Sequence, residues 1–117
     1  MRPARSMLVA LLAIGLQAAA AESIPKEKVI QVTARKFEFS PAVIELKLGV
    51  PVVLELTSLD REHGFKQTEL HLDETVAPGK VTRVRLVPDK AGTFEFYCSV
   101  FCGSGHEEMG GRIVVKP

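Results

Sequence analysis

Six short segments of this 117-residue chain alternate apolar and polar residues with a period of two, and Pro or Gly marks the breaks. That period sends successive side chains to opposite faces of a strand, whereas a helix needs 3.6. In the first segment Ile30, Val32 and Ala34 share a face. Ile44, Leu46 and Leu48 alternate with Glu45 and Lys47; Val52, Leu54 and Leu56 alternate with Val53, Glu55 and Thr57. Val84 and Leu86 face away from Arg83 and Arg85. Phe94, Phe96 and Cys98 oppose Thr93, Glu95 and Tyr97, and Ile113 with Val115 closes the series. Ser40-Pro41, Gly49 with Pro51, Pro78-Gly79, Pro88-Asp89, Gly92 and Gly110-Gly111 supply the turns. Many short alternating strands without a helical period predict an all-β domain, an antiparallel Greek-key β-sandwich of about seven strands. Asp60 to Ala77 shows no clean period and reads as a long connection carrying one short strand. A long loop in a compact domain is often functional.

The N-terminus is a separate object. Arg2 and Arg5 precede an apolar run from Met7 to Leu16, and Gln17 to Ala21 ends in small residues. This predicts a signal peptide over residues 1–21, cut after Ala21, and so a periplasmic location. Met7 to Ala21 is 15 residues, short of the roughly 17–25 that span a bilayer. An uncleaved anchor is the alternative and the one route to a membrane. Residues 22–28 (ESIPKEK) form a flexible leader, and residues 29–117 the domain. Hydrophobic content of 46% suffices for a core, and 25% charged residues of mixed sign describe a folded domain. A formal charge of +1 and no basic run leave no footprint for nucleic acid. Cleavage leaves thirteen basic against fourteen acidic residues, so electrostatic docking must come from a local patch.

Cys98 to Met109 reads CSVFCGSGHEEM and holds both cysteines, one of three histidines and one of three methionines. His63 lies upstream in REHGF. Gly103, Ser104 and Gly105 cannot prolong the strand that ends at Cys98, so the donors ride on a loop between two core strands. Such a pinned loop can hold a metal in a fixed geometry. Thiolates, imidazole and a thioether form a soft set that favours copper. An exported protein meets oxidising conditions, where Cys98 and Cys102 could pair as a disulfide; the ring closed would be very short. Zinc could take Cys98, Cys102, His63 and His106, leaving Met109 unused. One copper on Cys102, His106, Met109 and His63 leaves Cys98 idle; two coppers bridged by both thiolates use every donor. His71 alternates with Leu70 and Leu72 and reads as structural. Glu107 and Glu108 read as solvated acids. Phe65 and Phe101 flank the donors, either as shields against water or as a small apolar contact surface. With no acid–base pair, no activated nucleophile and no open metal position, an enzyme is not expected.

CSVFCGSGHEEM resembles the CuA loop of cytochrome c oxidase subunit II, Cys-Ser-x-x-Cys-Gly-x-x-His-x-x-Met. DREHGF (Asp60 to Phe65) resembles that family's histidine segment, and VAPGKVTRVRLVPDKAGTFEFYC its approach to the first cysteine. The resemblance covers Phe37 to Val115. It implies a cupredoxin fold and a binuclear copper centre. Cys98 and Cys102 would bridge two copper ions, and His63 and His106 would bind one each. Met109 would be axial on one, and the backbone carbonyl of Val100 on the other. The family often has Glu at the position of Val100, but there it acts through its carbonyl. The implied function is one-electron transfer with redox partners such as a c-type cytochrome or a terminal oxidase. The same donors suit the alternative of a copper chaperone or storage protein that delivers copper to an oxidase. Two features depart from the family. The chain has no Trp and one Tyr, Tyr97, where oxidase subunits carry an aromatic cluster with a Trp. Only the leader is apolar, so a free domain is expected in place of a membrane-tethered one.

Overall fold

A computed structural model describes Glu27 to Pro117 together with Pro3, Ala4 and Gly15; most of the expected signal peptide and of the leader lies outside the described residues. Nine strands follow: β1 (Lys28–Arg35), β2 (Glu38–Ser40), β3 (Val43–Lys47), β4 (Val52–Ser58), β5 (His63–Gln67), β6 (Leu72–Val76), β7 (Thr82–Leu86), β8 (Gly92–Tyr97) and β9 (Gly110–Lys116). The period-two pattern becomes burial. Ile44 and Leu46 of β3 are buried while Val43, Glu45 and Lys47 are exposed, and Val52, Leu54 and Leu56 of β4 are all buried. Two sheets form, in the orders β2-β1-β4-β7 and β3-β9-β8-β5-β6. Their inner faces meet in one core that includes Val32, Leu54, Leu56, Ile44, Phe65, Phe96 and Ile113. This is the expected β-sandwich of the cupredoxin type.

Two expectations need correction. The sandwich is not wholly antiparallel: β1 pairs in parallel with β4, and β3 with β9. The cause lies at Ser40-Pro41. The strand returning from β1 pairs with it as β2, then leaves that sheet at Pro41, which has no N–H to continue the ladder, and resumes as β3 in the other. β4 then re-enters the first sheet beside β1 and in the same direction. Second, Asp60 to Ala77 holds two strands, β5 and β6, rather than one. In β5, His63, Gly64, Phe65 and Gln67 are all buried, so no alternation marks it. The Gln67 amide fixes the turn that follows, accepting from Leu70 N–H at 2.9 Å and donating to the Glu95 carbonyl at 2.8 Å. His71 leaves that turn exposed, at φ 57°, between buried Leu70 and Leu72; its structural reading agrees with that placement.

The parallel pairing matters for function because it brings strand ends together. Ala34 pairs with Ser58, and Leu59 N–H donates to the Ala34 carbonyl at 2.9 Å. Tyr97 pairs with Gly110. Three connections therefore meet at one end of the sandwich: Lys36-Phe37, residues 59–62 and residues 98–109. Beneath them Phe39, Phe65 and Phe96 pack together. Phe39 stands edge-on to Phe65 at 5.7 Å and to Phe96 at 5.1 Å, and the latter two lie 4.5 Å apart. Such pairs add about 0.5–1.5 kcal/mol each beyond area burial, which gives the loops a rigid floor. Among the described residues no helix is long and apolar enough to cross a membrane.

Candidate metal centre

The loop from Cys98 to Met109 closes on itself. Cys98 N–H donates to the Met109 carbonyl at 3.0 Å, which ties the two ends where β8 and β9 meet. Inside it His106–Glu108 form a single 3-10 turn, with His106 N–H on the Gly103 carbonyl and Met109 N–H on that of His106, both at 3.2 Å. Gly103 sits at φ 137°, in the region that favours glycine. A Cβ on Gly103 would come within 3.0 Å of the Phe37 ring, and one on Gly105 within 2.5 Å. Phe37 is thus a plate on which the outer half of the loop lies. The inner half crosses β5 at Gly64, whose missing side chain leaves room for the backbone of Ser99 and Val100.

Folded this way, the loop and β5 bring the expected donors into one cluster. The Cys98 and Cys102 sulfurs are 3.6 Å apart, and both thiols are free. His63 turns Nδ1 toward Cys98 Sγ at 3.9 Å, and His106 turns its Nδ1 toward Cys102 Sγ at 3.5 Å. Met109 Sδ lies 3.7 Å from Cys102 Sγ, and the Val100 carbonyl oxygen 3.1 Å from Cys98 Sγ. The ligand atoms of His63, Cys98 and Cys102 all fall within 4.8 Å of one another. Each thiol therefore has one imidazole and one weaker donor beside it. Cys98, Cys102, Met109 and His63 are buried, at 2% exposure or less. His106 is half-buried and touches Phe101, which is 70% exposed. The two flanking aromatics thus divide: Phe65 is in the core, and Phe101 is at the surface. Glu107 and Glu108 are exposed, as expected.

Burial pushes the Cys102 thiol up to about 11, and the hydrogen-bonded Cys98 thiol adds to the shift. Metal uptake must therefore displace the Cys102 proton. Donor chemistry decides which metal suits it: two sulfurs, two imidazole nitrogens, a thioether and a carbonyl fit copper.

Three residues here escaped the sequence reading as parts of the site. Asp60 Oδ1 lies 2.7 Å from His63 Nε2, the ring nitrogen facing away from the sulfurs. Its spacing of three before the histidine was the available signal. Phe37 and Gly64 had none, since their roles depend on which loops meet at this end.

Comparison with known proteins agrees with this architecture. Residues 5–115 match the model of the cupredoxin-like domain. Cytochrome c oxidase subunit 2 of Thermus thermophilus is 36% identical over 92 residues, 79% of this chain and 68% of the relative. A second subunit 2 from the same organism matches at 36% identity, with 55% of its length spanned. Among solved structures, the periplasmic domain of subunit II of cytochrome oxidase (CoxB) of Bradyrhizobium japonicum superposes with a TM-score of 0.71. It is 18% identical, and the match covers 80% of this chain and 87% of that one. The chain belongs to the cupredoxin-like family, and its homologues there include the subunit II proteins of cytochrome c oxidase.

Proposed function

We propose that the chain is a periplasmic one-electron carrier that holds a binuclear CuA-type copper centre. Cys98 and Cys102 would supply thiolates to both ions, His63 and His106 would supply an imidazole to each, and Met109 and the Val100 carbonyl would be the weaker donors. The observation carrying this reading is the pairing within the cluster, where each sulfur has its own imidazole and its own weaker donor. Zinc would have no use for Met109, and a single copper would leave one cysteine without a role. When bound, such a centre supplies reversible one-electron chemistry with no open position for a substrate.

The residues of the chain contribute fixed geometry. Hydrogen bonds close the loop, Phe37 and the Phe39–Phe65–Phe96 floor immobilise it, and burial of the sulfurs excludes water. Little rearrangement then accompanies a change of charge. Half-buried His106 with Phe101 at its edge is the short way out for an electron. A redox protein such as a c-type cytochrome or a terminal oxidase is the corresponding partner. Residues 1–21 act as the export signal, and the leader that follows joins the domain at Lys28, where β1 begins. The test is to mix the copper-loaded protein with a reduced c-type cytochrome, and separately with a copper-free acceptor. Rapid electron exchange with retention of copper is expected. Slow exchange with transfer of copper would replace the carrier by a copper chaperone or storage protein.

A further inference from the structure

The two histidines of the cluster are not equivalent. His106 is half-buried, and among the described residues no carboxylate bonds its ring. His63 is fully buried, and its Nε2 meets Asp60 Oδ1 at 2.7 Å. Asp60 is itself held from two sides: Lys36 N–H donates to Oδ2 at 2.7 Å and Arg61 N–H donates to Oδ1 at 2.6 Å. The segment around it is tied down as well. Ser58 Oγ–H donates to the Arg61 carbonyl, and Arg61 reaches the Phe101 carbonyl at 3.5 Å. The carboxylate is thus fixed by the β1–β2 turn and by its own loop, which also touches the metal loop.

A fixed acceptor at Nε2 dictates where the imidazole proton sits. With N–H at Nε2, the Nδ1 lone pair points at Cys98 and is free to bind a metal. A carboxylate behind a ligating imidazole also raises its basicity. We infer that Asp60 is a positioning residue: it selects the metal-binding tautomer of His63 and makes the His63 side of the centre the more electron-rich. His106, with no such partner, is the weaker donor and lies nearer the surface. The inference rests on the copper reading for its effect on potential, but not for the tautomer.

Two variants and one direct observation test it. In the full-length metal-free protein, isotope-edited NMR at mildly alkaline pH should find the His63 proton on Nε2; a proton on Nδ1 overturns the inference. Asp60→Asn keeps an oxygen acceptor and removes the charge. It should raise the reduction potential of the copper-loaded protein, with a modest fall in melting temperature because the amide nitrogen replaces the oxygen that accepts from Lys36 N–H. Asp60→Ala removes the acceptor too and should weaken copper binding about 10–100-fold, the usual cost of losing such a partner. A residue serving only to staple the turn would lower stability in both variants without moving the potential, and that result also overturns the inference. Should Asp60→Ala not fold, Asp60→Asn and the tautomer decide. A wild-type protein that takes up no copper sinks the metal reading, while the NMR result still judges Asp60.

Discussion

Gly64→Ala isolates the crossing of the metal loop over β5. Gly64 is not at positive φ, so alanine meets no backbone strain, and its entropic effect on the unfolded chain is a gain of about 0.4–1 kcal/mol. Sterics oppose this. The new Cβ would land on Ser99 Oγ, which can rotate away, and 2.8 Å from the backbone nitrogens of both Ser99 and Val100, which cannot. Ordinary contact begins near 3.4 Å, so the loop must lift by several tenths of an ångström. Overpacking of this kind costs about 1–3 kcal/mol, and the steric term wins by about 1–2 kcal/mol. For a domain of this size that is a fall in melting temperature of about 4–8 °C per kcal/mol. The shift also moves the Val100 carbonyl and Cys98, so copper affinity should fall. Ser99→Ala added to Gly64→Ala should restore only part of the loss, because the backbone contacts remain. Thermal unfolding followed by circular dichroism, paired with a copper titration, reads both effects. If Gly64→Ala melts and binds copper as the wild type does, the loop does not cross β5 as described.

Phe96→Ala removes the centre of the aromatic floor and should cost about 3–5 kcal/mol in urea unfolding; a cost under about 1 kcal/mol would mean that the floor does not support the loop. Because the two free sulfurs lie 3.6 Å apart, mild oxidation should pair them and abolish copper uptake until a reductant restores it. Thiol titration beside metal analysis follows this, and copper uptake by fully oxidised protein would contradict it. The Glu69 carboxylate is held below its usual range, chiefly by the Gln67 amide. A depressed folded-state pKa stabilises the fold above the unfolded value of 4.5, and that contribution is lost as pH falls below it. Glu69→Gln should therefore show a shallower loss of stability in acid than the wild type, with equal or lower stability at neutral pH.

The strands that face solvent on one side were legible because burial there follows the period of two: β3, β4 and β9 all sit where their alternation predicts. β5 was not, since both of its faces are covered, one by the core and one by the metal loop. β2 was too short to leave a pattern, and the parallel pairings depend on a sheet change at Pro41 that no local signal announces. In the site, the donors Cys98, Cys102, His106 and Met109 share one loop and could be read together. His63 lies outside that loop and reads as a donor from its residue type, with the family resemblance supporting it. Asp60 sits three residues before His63 and its spacing was a signal, whereas Phe37 beneath Gly103 and Gly105 comes from a distant loop, and sequence spacing cannot show which loops meet.

The proposed centre at the end of the sandwich holds two copper ions shared between Cys98 and Cys102. Loading the reduced protein with copper, counting bound metal per chain and recording the visible and EPR spectra tests it most directly. Two coppers per chain, a purple chromophore and a multi-line hyperfine pattern from one electron spread over both nuclei are the predicted result. One copper per chain with the spectrum of a single blue site, or no stable binding by the reduced thiols, would contradict it.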